Sequence, residues 1–192
     1  MKKGSYLRRL FALMALLALA ATSPAYHYQL DGPRSQVSAK VSYMAFGSKT
    51  ARFPVMRGAI RIVPDHLDVI DLDVVLDAAQ MTAGGKSDTA FLRGPDFFDV
   101  ARFPVVSFSG HRMTMTSATT ARIDGMLTAR GVTRPTTLTA TFRDPPARTT
   151  GRDPIQLSAT TAINRKDFGM NSYSLIVGKK VTIRIEARLV PG

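Results

Sequence analysis

Apolar residues recur at every second position over most of the chain. Within 67–76, Ile70, Leu72, Val74 and Leu76 alternate with Val69, Asp71, Asp73 and Val75. Within 181–189, Val181, Ile183, Ile185, Ala187 and Leu189 alternate with Thr182, Arg184, Glu186 and Arg188. Within 155–163, Ile155, Leu157, Ala159 and Ile163 fall on one side. Successive side chains of a strand point to opposite faces, so each run predicts a strand with one buried and one wet face. Shorter runs at 35–43, 57–63, 105–111, 119–128 and 136–142, rich in Thr, Val and Ile, bring the count to about eight.

Two stretches depart from the pattern. Asp144 to Pro154 holds three prolines and reads as a loop. Ala78 to Asp99 is not strand-like; Asp88 to Arg93 predicts a short helical turn, ended by Gly94-Pro95. No segment of helical period is long enough to cover an open sheet. Eight strands with one apolar face must then close into a barrel or stack as a sandwich, and runs of nine or ten residues favour the barrel. The expected fold is all-β, with a short helical element and no linker that divides the chain.

Residues 1–25 stand apart as a secretory signal peptide. Lys2, Lys3, Arg8 and Arg9 precede an uncharged apolar run from Leu10 to Ala21, and Ser23-Pro24-Ala25 offers a cleavage site. Twelve residues make a helix of about 18 Å, short of a hydrocarbon core of about 30 Å. Arg8-Arg9-Leu10-Phe11 resembles part of a twin-arginine signal, but Leu7 stands where Ser or Thr belongs. The domain expected to fold is 26–192, in the periplasm or secreted.

The chain of 192 residues has a net charge of +12, and loss of the four basic residues of the signal leaves +8. Scattered single arginines fit solubility and transient association with anionic membrane surfaces better than nucleic-acid binding, which wants basic clusters with interleaved aromatics. Absence of cysteine excludes disulfides, Cys-based metal centres and thiol nucleophiles. The oligomeric state is open, a homodimer included.

Candidate chemistry is sparse. Gly84-Gly85-Lys86-Ser87 nearly matches a phosphate-binding loop, but Gln80 replaces its first glycine and no long helix follows, so it reads as an exposed turn. Asp167-Phe168-Gly169 lacks the companion motifs of a kinase. Asp71 and Asp73 read as a solvated strand face. His27, His66 and His111 have no partners at metal-ligand spacing. No metal or other cofactor is expected.

What remains is a cavity. An eight-stranded barrel is filled by side chains or holds one small ligand, and ten phenylalanines, nine methionines and no tryptophan fit either outcome. Phe91-Leu92-Arg93-Gly94-Pro95-Asp96-Phe97-Phe98-Asp99-Val100 sets bulky apolar residues in a non-strand segment, suited to the barrel's end. In Ile163-Asn164-Arg165-Lys166-Asp167-Phe168-Gly169-Met170, Arg165 is expected to pair with Asp167 and pin the loop, or to meet a polar ligand head. The expected ligand-facing residues are Phe91, Phe97, Phe98, Phe108, Phe142, Arg165, Phe168 and Met170.

These segments resemble the YceI family of secreted lipid-binding proteins, in order along nearly the whole of 26–192. Tyr28 to Asp31 with Ser35 and Val37 resembles the family's opening strand. Leu92 to Val100 with Phe103-Pro104 is similar to its most distinctive segment. Gly125 to Thr128 with Arg130 to Pro135 resembles its "L-T-x-x-G-V-T-x-P" hairpin, and Ile163 to Met170 its "N-R-x-D-F-G" loop. Val177-Gly178 and Val181 to Ala187 resemble its closing strand. The resemblance implies an extended lipocalin-like antiparallel barrel of eight strands whose tunnel holds an isoprenoid-like amphiphile, such as a polyprenyl chain or a quinone, and no catalytic residues. Where family members often carry histidine, Arg34, Tyr43 and Phe91 stand here, which implies a more apolar ligand or another polar anchor. Two rival functions stay open: an enzyme acting on a lipid through Asp96 or Asp99 with Arg93, and a filled-core barrel serving as a stress or interaction protein.

Overall fold

A computed structural model describes residues 23–44 and 47–192. The expected signal peptide lies outside the described residues except for 23–25. Ten strands form: β1 (Tyr26–Leu30), β2 (Gln36–Tyr43), β3 (Gly47–Phe53), β4 (Met56–Ile62), β5 (Val69–Asp77), β6 (Val105–Met115), β7 (Thr120–Ala129), β8 (Val132–Phe142), β9 (Ile155–Asn164) and β10 (Val177–Pro191). One helix, α1 (Lys86–Arg93), lies between β5 and β6. The order β1-β4-β5-β6-β7-β8-β9-β10 closes on itself through β1–β10 pairing, and every ladder is antiparallel.

The result is an eight-stranded closed antiparallel barrel with one short helix. Ten strands occupy eight wall positions because two wall strands are broken. β1 and β2 run along the same edge of β10, separated by the 3-10 turn Gly32–Arg34 that contains Pro33. β3 and β4 are separated by Pro54-Val55. Proline lacks the N–H that a continuous ladder needs. Ser35 bridges the first break: its hydroxyl donates to the Asp31 carbonyl at 2.7 Å and accepts from the Arg188 amide at 3.0 Å.

The periodicity locates eight of the ten strands but gives no signal for β1 or β3. Lys49 occupies an inward position in β3, in series with Ala51 and Phe53, so the polar residue interrupts the apolar alternation. α1 covers the edge of β3 where β5 has ended. Asp77 caps the turn Ala78–Gln80, accepting from the amides of Ala79 and Gln80, and Thr82 then exchanges both backbone bonds with Arg52. Gly84 and Gly85 form the bend that leads into α1, and Lys86 and Ser87 open the helix; all four are exposed.

The two ends of the barrel differ. The upper end gathers the β2–β3 turn, the 78–104 segment with α1, the β7–β8 hairpin and the 165–176 loop, as the pairs Tyr43↔Val177, Asp77↔Val105 and Ala129↔Val132 require. At the lower end, the 144–154 loop folds against β1. Tyr28 and Thr149 share a hydroxyl–hydroxyl bond, and Gly151, at φ +75°, leaves no room for a Cβ beside the Tyr26 ring.

One seam in the wall is short. β8 and β9 pair only over Thr139–Phe142 and Leu157–Thr160. The Phe142 amide bonds toward β7 (Thr119) and that of Arg143 toward β9 (Gln156). Alternation therefore points the nitrogen of Pro135 at β9, where a donor is missing. The turn 165–168 packs against β8.

Candidate functional site

The barrel encloses a cavity of about 190 Å³ whose inner surface is almost wholly hydrocarbon. The alternation of each strand sets the lining. β5 contributes Leu72, Val74 and Leu76; β9 contributes Leu157, Ala159, Thr161 and Ile163; β10 contributes Val181, Ile183, Ile185, Ala187 and Leu189. From Val177 to Leu189 the lining follows β10 for about 40 Å of strand, at about 3.3 Å per residue. The volume is below the roughly 300–1,000 Å³ of ordinary ligand pockets, so the cavity is long and narrow. Met56 and Met170 border it, and unbranched thioethers yield readily to a guest. A row of alanines, Ala121, Ala140 and Ala159, faces each other across β7, β8 and β9 and keeps that side of the wall thin.

Six of the eight residues expected to face a ligand border this cavity: Phe97, Phe98, Phe108, Phe142, Arg165 and Met170. Phe91 does not. Neighbours on a helix are about 100° apart, so the turn that sends Leu92 inward leaves Phe91 at the rim, 40% exposed, against Phe97 and Tyr173. Phe168 does not reach the cavity either; it is buried in the core on the turn that packs against β8. Sequence reasoning missed Leu92, Met56 and Lys49 as lining residues. Leu92 carried a signal, since it lies within the aromatic cluster; Lys49 carried none.

Among the described residues, Arg165 is the one charged side chain at the cavity that is buried, 2% exposed. The expected pairing with Asp167 does not form. Asp167 accepts from Asn164 Nδ2 at 3.1 Å, while the Arg165 guanidinium donates to backbone carbonyls: Nε to Gly178 at 2.9 Å, Nη2 to Val177 at 3.0 Å and Nη1 to Met170. Carbonyls leave no mark in a sequence, whereas a nearby carboxylate does. The guanidinium thus pins the 165–176 loop to the start of β10, and burial pushes its pKa below the ordinary arginine value. Among the described residues no carboxylate lies within ion-pair distance of it. The cavity therefore has an apolar length and one buried positive charge at its upper end.

Arg130 ties the same end together. Its guanidinium donates to the carbonyls of Gly169 and Pro95, the latter at 2.7 Å, joining the β7–β8 hairpin to both loops above the cavity. The residues of the rival reading, an enzyme acting on a lipid, are not brought together. Arg93 donates twice to the Met81 carbonyl, at 2.7 and 3.1 Å, Asp96 accepts from Ser172 at 2.8 Å, and Asp99 faces Arg102 at 3.5 Å. None of Arg93, Asp96 or Asp99 borders the cavity. Among the described residues no group of three His, Cys, Asp or Glu side chains is placed to hold a metal ion.

Comparison with known proteins fits this geometry. A family model described as the YceI-like domain matches residues 28–189. A UPF0312 protein of Pseudomonas putida (strain GB-1) is 28% identical over 169 residues, 85% of this chain and 88% of that protein. BcnA of Burkholderia cenocepacia, known from a crystal structure, superposes with a TM-score of 0.73 at 19% identity, over 83% of this chain and 98% of that one. A polyisoprenoid binding domain from Saccharophagus degradans, implicated in plant cell wall breakdown, superposes with a TM-score of 0.66 at 15% identity, over 86% and 98%. With these two structures the chain shares the fold.

Proposed function

The chain belongs to the YceI-like family, and from that premise we propose that it binds and carries, or sequesters, an isoprenoid-like amphiphile in its barrel, outside the cytoplasm. The observation that carries the reading is the cavity's continuous hydrocarbon surface, which ends at a buried guanidinium. Burying a chain of about twenty carbons supplies on the order of ten kcal/mol before ordering costs, at about 0.8 kcal/mol per CH₂. The polyisoprenoid-binding domain of Saccharophagus degradans, built on the same fold, supports this ligand class.

Orientation follows from chemistry. The tail lies along β9 and β10 towards Phe142 and Leu189, and the head sits beside Arg165. A guanidinium has five N–H donors. Three backbone carbonyls engage this one, leaving donors for an oxygen of the head group. Arg165 is then the polar anchor, since neither Arg34, Tyr43 nor Phe91 borders the cavity. Apolar walls and the dispersal of Arg93, Asp96 and Asp99 favour binding over turnover. The basic, then apolar, opening segment supports export, to the periplasm or beyond.

Native mass spectrometry of gently purified protein tests the proposal. The expected spectrum carries the added mass of a polyprenyl compound, or acquires it when one is supplied. A spectrum of the bare chain, with no affinity for any polyprenyl compound, would overturn it.

A further inference from the structure

We propose that the upper rim of the barrel docks on the surface of an anionic bilayer, so that the loops over the cavity meet the lipid directly. The proposal rests on the reading that the cavity takes a lipid.

Three upper loops are joined into one rim. The Met44 amide donates to the Ile176 carbonyl at 2.6 Å, the rings of Phe91 and Tyr173 lie 5.0 Å apart, and Ser172 donates to Asp96. This rim presents apolar side chains to solvent. Leu175 is 101% exposed, Met44 62% and Tyr173 44%, beside the half-exposed Phe91. Soluble proteins seldom gather large apolar side chains on adjoining loops without a surface to meet.

The charges beside them identify that surface. Beyond residue 25 the chain has six lysines, and five of them (Lys49, Lys86, Lys166, Lys179 and Lys180) lie at this end. The lower turns, 63–68, 116–119 and 143–154, have no lysine, and their three arginines (Arg143, Arg148 and Arg152) stand against four carboxylates (Asp65, Asp68, Asp144 and Asp153). Lys49 is held by Asp88 at 2.8 Å; Lys86, Lys166, Lys179 and Lys180 are exposed. The carboxylates at this end are largely engaged: Asp88 by Lys49, Asp96 by Ser172, Asp99 by Arg102 and Asp167 by Asn164. Exposed Leu, Met, Phe and Tyr ringed by lysines match the interface of an anionic membrane, where apolar tips enter the headgroup boundary and ammonium groups meet the phosphates. A protein partner's groove would not call for the flexible lysines that surround this rim.

Flotation of the full exported chain with phosphatidylglycerol–phosphatidylcholine vesicles tests the proposal, with pure phosphatidylcholine vesicles as comparison. The wild type is expected to float with the anionic vesicles only. Leu175→Asp and the double variant Lys179→Glu, Lys180→Glu are each expected to lower the bound fraction by about tenfold or more. Because none of these residues borders the cavity, both variants should keep their thermal midpoint and their affinity for a detergent-solubilised polyprenyl phosphate. A wild type that binds polyprenyl phosphate in solution yet ignores anionic vesicles overturns the docking proposal alone. So do variants that float like the wild type, or a rim that drives self-association in sedimentation without flotation. Loss of polyprenyl affinity by the wild type in solution strikes the ligand reading instead.

Discussion

The Arg165 guanidinium lies over the Phe97 ring, 5.9 Å from its centroid, where the cavity meets the loops that cover it. A cation–π contact and three backbone carbonyls hold the charge in a site without a carboxylate. Arg165→Leu leaves those carbonyls unpaired and is expected to lower the free energy of unfolding by about 3 kcal/mol, read by urea denaturation. Arg165→Lys should recover only part, because an ammonium's three donors radiate from one nitrogen and cannot span carbonyls that the guanidinium reaches from three. In the binding assay, Arg165→Leu should weaken a phosphate-headed polyprenyl more than the corresponding hydrocarbon. Equal losses for the two would remove Arg165 as the head anchor.

Filling the bore should separate folding from binding. Ala159 faces the cavity at mid-strand, opposite Ala140. Ala159→Phe places a ring where the chain of the lipid would run. Affinity for a polyprenyl compound is expected to fall by tenfold or more, while stability changes by no more than the roughly 1–3 kcal/mol that overpacking costs. Unchanged affinity in a folded variant would mean that the ligand lies elsewhere.

At Gly125 two strands and a ring approach closely. It pairs with Gly110, and a Cβ there would lie 2.6 Å from Phe108 Cζ and 2.9 Å from Gly110 Cα, and would also strike the Ser109 carbonyl oxygen. Phe108 borders the cavity, so the two glycines give its ring a place to lie. Gly125→Ala is expected to destabilise by about 1–3 kcal/mol. A shift of no more than 0.5 kcal/mol, on the usual scale for surface substitutions, would show that the ring and strand have room to spare.

The Lys49–Asp88 bridge fastens α1 to β3 and has a defined pH signature. The hydrogen bond to Asp88 raises the Lys49 pKa above its ordinary value, against the smaller opposing effect of desolvation. A raised folded-state value means that the contribution is complete below the ordinary lysine pKa and is lost as pH rises through the raised one. The stability difference between wild type and Asp88→Asn should therefore stay constant from about pH 7 to about pH 9 and shrink at higher pH. A difference that grows with alkalinity would contradict the assignment. Lys49 is accessible, so added salt should also reduce the difference.

Much of the barrel could be read from alternation. Val181, Ile183, Ile185, Ala187 and Leu189 share a face in the sequence and line the cavity in the fold, because a buried face leaves a period of two that no loop mimics. β3 escaped this reading because Lys49 points inward, and the first residues of β8, which begins at Val132 rather than 136, escaped it because Thr133, Arg134 and Pro135 carry no apolar period. The site was only partly legible for a different reason. An aromatic cluster shows that rings gather near one end, but not which of them turns inward. Phe97 and Phe98 border the cavity, while Phe91 is set outside by the phase of an eight-residue helix. The role of Arg165 was hidden too, since its partners are carbonyls that any residue supplies.

The central claim is that a hydrocarbon tail lies inside the barrel, along β9 and β10. Crystals soaked with a long-chain phosphate carrying bromine at its far end would locate that tail by anomalous scattering. The expected peak lies inside the barrel, below Ala159 and towards Phe142 and Leu189. A peak on the outer wall, or no peak in a barrel whose interior is closed by its own side chains, would contradict the claim.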